Sequence, residues 1–103
     1  MYKLCVYVPE DALESVKRAL FDAGAGRLGH YTECCWQVLG SGQFRPGDGS
    51  RPAFGAPGDV ATLPEYRLEM LCPEDCAEAV ISALREAHPY EEPGFDLIQV
   101  RIN

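Results

Sequence analysis

The feature that most constrains this chain is a hidden repeat. The segment PEDALESVKRAL, from Pro9, returns as PEDCAEAVISAL, from Pro73, with seven of twelve positions identical at a constant offset of 64. Each copy follows a strand-like run, YKLCVYV before the first and YRLEMLC before the second. Within the copies, Leu13, Val16, Leu20 and Ala23, and then Ala77, Val80, Ile81, Leu84 and Ala87, recur at the i, i+3, i+4, i+7 steps of a half-buried helix. A chain of 103 residues with this pattern is one domain made of two strand–helix halves.

Both helices carry the same start signal. Proline suits a first turn because it lacks an N–H that has no partner there. Asp11 with Glu14, and Asp75 with Glu78, have the spacing of a capping box, with Asp in place of Ser or Thr. The stops differ: AGAG (23–26) offers a glycine cap, whereas HPYEEP (88–93) ends the second helix near Ala87 or His88, since the residue before proline leaves the helical region. After each stop a strand is expected. HYTECCWQV (30–38) sets His30, Thr32, Cys34, Trp36 and Val38 on one face. FDLIQVRI (95–102) sets Ile98, Val100 and Ile102 on one face and Phe95 and Leu97 on the other.

Two β-α-β units side by side give an α+β, ferredoxin-like β-α-β-β-α-β domain over residues 1–103: a four-stranded antiparallel sheet with both helices on one face. The opposite sheet face lacks a cover, yet strand residues of both parities are apolar, which marks an interface and predicts an oligomer. Between the halves, residues 40–64 hold six of the ten glycines and four of the eight prolines. No helix or long strand is expected inside that stretch, while its ends extend the flanking strands into a long hairpin arm.

Composition removes several function classes. A formal net charge of -7, with nine scattered basic residues, argues against nucleic acid. No apolar run approaches the ~20 residues that span a bilayer, and the N-terminus does not read as a signal peptide, so a cytoplasmic protein is expected. Five cysteines, an odd number without a CxxC pair, support neither a disulfide framework nor a structural zinc site. Cys76 sits in the acidic first turn of the second helix, which opposes a thiolate. The glycine-rich loop contains no GxxxxGK[ST], so it is not a P-loop.

The stretches GRLGHYTECCWQVLGSGQFRPGDGSRPAFG and HPYEEPGFDL resemble the YqfO-like family, and more narrowly the insert domain of larger Nif-three-like proteins, here as a free-standing short member. The matching positions are Gly26, Gly29, Tyr31, Cys34, Gly40, Gly42, Phe44, Pro46, Gly49, Pro52 and Gly55, then His88, Pro89, Tyr90, Glu91, Glu92, Pro93 and Asp96. That insert is similar to CutA divalent-ion-tolerance proteins and PII signalling proteins, both ferredoxin-like trimers. The resemblance thus implies a CutA/PII-like homotrimer, with sheets around a three-fold axis and arms reaching the neighbours. It does not carry over an enzymatic activity. The larger proteins build a two-metal site from His and Glu in segments flanking the insert, and this chain has only His30 and His88.

Two clusters remain as candidate sites, each with a structural alternative. His88, Tyr90, Glu91 and Glu92, with Arg45 from the loop, read either as a ligand pocket at a subunit boundary or as a helix stop leading into the last strand. His30, Cys34, His88 and Glu91 are suitable donors for a divalent metal such as zinc or copper, or else a core cysteine and a surface histidine. The function that follows is a trimeric ligand-binding module, for a divalent metal or small metabolite. The alternative is a non-catalytic interaction domain that meets a protein partner through residues 40–64. A metal-dependent hydrolase ranks last, because no nucleophile–base pair is legible.

Overall fold

In the computed structural model, which describes residues 1–102, the elements run β1 (Tyr2–Pro9), α1 (Leu13–Asp22), β2 (Trp36–Phe44), β3 (Ala61–Cys72), α2 (Ala77–Ala87) and β4 (Phe95–Gln99). The sheet order is β2-β3-β1-β4 and every neighbouring pair is antiparallel. This is the ferredoxin-like arrangement that the repeat predicts: each half contributes one inner and one outer strand.

The core lies between the helices and one face of the sheet. Leu4, Val6 and Val8 of β1 and Leu68, Met70 and Cys72 of β3 meet Leu13, Val16 and Leu20 of α1 and Ala77, Val80 and Leu84 of α2. Phe95 and Leu97 of β4 close its edge. A buried Leu or Val contributes about 1.5–3 kcal/mol each, so the alternating residues of β1 and β3 hold the layers together. The other face has no helix. Cross-strand register puts Trp36 beside Glu69, Val38 beside Arg67 and then Tyr7, and Ile98 beside Lys3. Tyr7, Trp36, Val38 and Ile98 are exposed there, Trp36 to 61%.

The molecule is elongated, 46 × 24 × 23 Å. The length comes from β2 and β3, which continue past the end of β1: Ser41–Phe44 pairs with Ala61–Pro64 beyond the Pro9↔Glu65 rung. These are the strand extensions expected of residues 40–64, and neither helix nor strand occurs over 45–60. No described helix is long and apolar enough to cross a membrane.

Three local expectations are corrected. The capping boxes do not form: each helix opens with one tighter turn, Glu10–Ala12 or Glu74–Cys76, and no side chain caps either start. With that extra turn, Ala12 and Cys76 occupy the caps and Asp11 and Asp75 lie outside them. The second strand begins at Trp36, not His30. Leu28 and Tyr31 bond each other across a turn, Glu33 has φ 57°, and the Cys34 amide is taken by Gly26 O at 2.8 Å, so residues 30–35 cannot join the ladder. Likewise β4 ends at Gln99, three residues short of the expected run to Ile102.

Candidate functional site

The end of α2 is where the sequence concentrates polar chemistry. Pro89 bars the helical conformation from the residue before it, and His88 is extended at φ -74°, ψ 134°. Its amide still donates to Leu84 O at 2.8 Å, while its imidazole turns inward and is 5% exposed. Nε2 lies 2.7 Å from Tyr7 O and Nδ1 lies 3.1 Å from Tyr90 N. A backbone amide can only donate, so Nδ1 is the acceptor. The proton therefore sits on Nε2, which donates to Tyr7 O. The Tyr7 N–H in turn donates to Gly94 O at 3.1 Å. Regular β1–β4 pairing stops at Val6↔Phe95. The imidazole therefore stands where one more strand amide would have been.

Burial drives the His88 pKa below the ordinary imidazole value. The bond to Tyr7 O and the charge of Glu65 oppose that shift without reversing it. The Tyr90 hydroxyl donates to Glu65 Oε2 at 2.7 Å, and its ring tilts against His88 at 4.9 Å and Phe44 at 5.9 Å between centroids. Burial first, and then Glu65, push the phenol well above its usual range. Glu65 reaches this position over Gly42 of the facing strand, where a Cβ would collide with the carboxylate. Gly42 thus has a mechanical role inside a strand whose glycines predict poor pairing.

The loop 45–60 is tied back onto this cluster. Arg45 Nη1 donates to Gly58 O at 3.0 Å, the Gly58 amide to Pro46 O at 2.8 Å, and the Arg51 amide to Glu91 Oε1 at 3.1 Å. Two grooves flank Tyr90. One of about 420 Å3 is lined by Pro9, Glu10, Phe54, Leu63, Pro89 and Tyr90 among others. The second, of about 190 Å3, runs between Phe44, Pro46 and Pro52 on one side and Tyr90, Glu91 and Glu92 on the other.

The structure thus brings Tyr90, Glu91 and Glu92 to one groove, with His88 behind them and Arg45 engaged in holding the loop. His30 is exposed in the Leu28–Tyr31 turn, and Cys34 is half-buried beside Gly26. Among the described residues no three His, Cys, Asp or Glu side chains group as metal donors. Both His88 nitrogens are already hydrogen-bonded, and His30, Cys34, His88 and Glu91 do not fit a divalent ion within one chain. Sequence reasoning missed Glu65 and the Tyr7 carbonyl, and it gave Gly42 only as a position of the family resemblance, without its role beneath Glu65. The only signal for Glu65 was a glycine two residues from its register partner, which is not readable until the strands are paired.

No protein-family model matches the chain. It is 46% identical over 95 residues, 92% of its length, to a Mycobacterium tuberculosis protein called GTP cyclohydrolase 1 type 2 homolog. It is 43% identical over 98 residues, 95% of its length, to the Bacillus subtilis protein of the same name. These matches occupy 25% and 26% of those proteins, so the chain spans about a quarter of the length of the curated relatives it matches. Among solved structures, a Bacillus cereus protein related to NIF3 superposes with a TM-score of 0.81 at 37% identity, over 94% of this chain and 24% of that one. The PII-like protein CutA from Nostoc superposes with a TM-score of 0.68 at 20% identity, over 97% of this chain and 81% of that one. At that identity the CutA likeness concerns the fold. The chain is therefore a homologue of one segment of the NIF3-related, YqfO-like proteins, folded as CutA is folded.

Proposed function

We propose that the chain is a homo-oligomeric, CutA-like module that packs its copies through the helix-free sheet face and takes a small ligand in the grooves beside Tyr90. The observation that carries this reading is the exposed row of Tyr7, Trp36, Val38 and Ile98 on a sheet face without a helix. Interleaved with it are Lys3 and Arg67 against Glu69 and Asp96, charges of both signs that a second copy can match. The trimer implied by the family resemblance would cover that face three times over. A small metabolite suits the Tyr90 grooves better than a zinc or copper ion, because the candidate donors of one chain do not converge. A divalent ion would need donors from two copies.

The test is native mass spectrometry of protein purified without chelator, then exposed to zinc and copper. A trimer that Trp36→Glu converts to monomer supports the reading. A wild-type monomer overturns it, and a trimer with stoichiometric metal would replace the metabolite by an ion shared between copies.

A second reading, an assembly domain with no ligand, is favoured by one observation. Among the described residues no buried side-chain nitrogen or oxygen lacks a hydrogen-bond partner, so the cluster is self-satisfied. In that case the arm meets a protein partner through residues 40–64, and His88→Ala lowers stability without changing partner binding. The cyclohydrolase in the relatives' name belongs to proteins about four times as long.

A further inference from the structure

His88, Tyr90 and Glu65 come from the end of α2, the following turn and β3 at the root of the arm, and they form one chain of hydrogen bonds that begins at Tyr7 of β1. Each link has a fixed direction. The Tyr7 carbonyl needs a donor, and Nε2–H supplies it. The Tyr90 amide needs an acceptor, and Nδ1 supplies it. The Tyr90 hydroxyl is then held on Glu65, its ring rests on Phe44, and the adjacent Glu91 holds the Arg51 amide of the loop. We propose that this cluster is an acid-sensitive latch on the arm: it is closed while Nδ1 is unprotonated, and a proton taken from solvent onto Nδ1 releases the Tyr90 turn and with it the loop 45–60.

The step needs nothing beyond that proton. On Nδ1 it replaces an acceptor with a donor, so two N–H groups face each other at the 3.1 Å contact. The groups that face the ring act in known directions. From β1 comes the Tyr7 carbonyl, which tolerates an imidazolium. From β3 comes Glu65, whose charge draws the imidazolium and sets it in competition with the Tyr90 hydroxyl. Phe44 of β2 and Asp11 in the tight turn before α1 bear on Tyr90 rather than on His88. The N–H of His88 itself stays on Leu84 O, so α2 has no reason to unwind. The opening is confined to the turn and the loop. The proposal concerns the conformation of one chain and stands whether or not a ligand or a second copy binds.

The experiment is a side-chain and amide NMR titration of the full chain from about pH 8 to about pH 5 in buffer containing a chelator. At the alkaline end His88 is expected as the Nε2–H tautomer. Between the free imidazole value and the latched one, protection of the Tyr90, Arg51 and Gly58 amides falls about tenfold per pH unit, as proton linkage requires. The loop amides follow the His88 curve. In His88→Gln the amide side chain keeps a donor for Tyr7 O but cannot titrate, and the loop's pH response is flat. An Nδ1–H tautomer at pH 8, loop amides that ignore the His88 curve, or a Gln variant with the wild-type pH response would each overturn the latch. If the Gln variant does not fold, the wild-type curves and the tautomer alone decide.

Discussion

The first copy of the repeat leaves its helix through Gly24, the second through His88. Their beginnings are nearly superposable. Pro9 and Pro73 have φ -60° with ψ 148° and 145°, and each leads through one tight turn into the helix. At the first exit the backbone does all the work. Gly24 adopts φ 115°, its amide returns to Phe21 O and the Ala25 amide to Leu20 O, both at 3.1 Å. At the second exit a side chain does it, because Pro89 forbids a helical His88 and the carbonyl of Tyr7 still needs a donor. A glycine exit is local and cheap in residues. A histidine exit reaches across the molecule and ties α2, β1 and the arm to one ring.

This contrast can be broken first at His88. His88→Ala removes both ring bonds, leaves the Tyr7 carbonyl without its donor and opens a cavity, so urea denaturation should show a loss of about 3 kcal/mol. Gly24→Ala is expected to cost less, about 1–2 kcal/mol, from its positive φ and from a new Cβ 2.7 Å from Cys76 Sγ. If the glycine exit proves the costlier of the two, the ranking of exits is reversed. Tyr90→Phe sharpens the comparison by removing only the bond to Glu65, at about 1 kcal/mol in the same assay.

Acid should act on the second exit through His88. The folded His88 pKa is depressed, so the unfolded chain binds the extra proton first. The contribution of neutral His88 is complete above the free imidazole value and is lost as pH falls through the folded one. Melting temperatures measured across that range should fall further in wild type than in His88→Gln, which lacks the titrating ring. The smallest effect is expected at Gly29, whose φ is 58° but which has nothing within 4 Å of a new Cβ. Gly29→Ala should cost about 1 kcal/mol or less by thermal melting.

Much of this architecture is legible in the residues. The repeat, the helical spacing of Val16 and Leu20 or Val80 and Leu84, and the alternation in β1 give element order and core directly. The arm is also readable from the glycines and prolines of 40–64. What escapes is whatever depends on pairing across distance. His30, Thr32 and Cys34 alternate like a strand, but Gly26 takes the amide of Cys34, and that contact has no local signature. The capping boxes fail because one extra tight turn moves Asp11 and Asp75 out of the cap. His88 and Glu91 look like metal donors in a string of letters, since a string cannot reveal that Tyr7, Tyr90 and Arg51 already occupy them.

The ring in the ladder has a consequence for how this segment can change over time. Where two strands close a sheet by backbone alone, either can lengthen or shorten at its end with little penalty, whatever the side chains. Here the last rung of β1 is written in a side chain at position 88, eighty-one residues away in sequence. A new side chain at Gly94, where only a carbonyl is used, leaves the rung in place, whereas at 88 the residue's identity is itself the fastener.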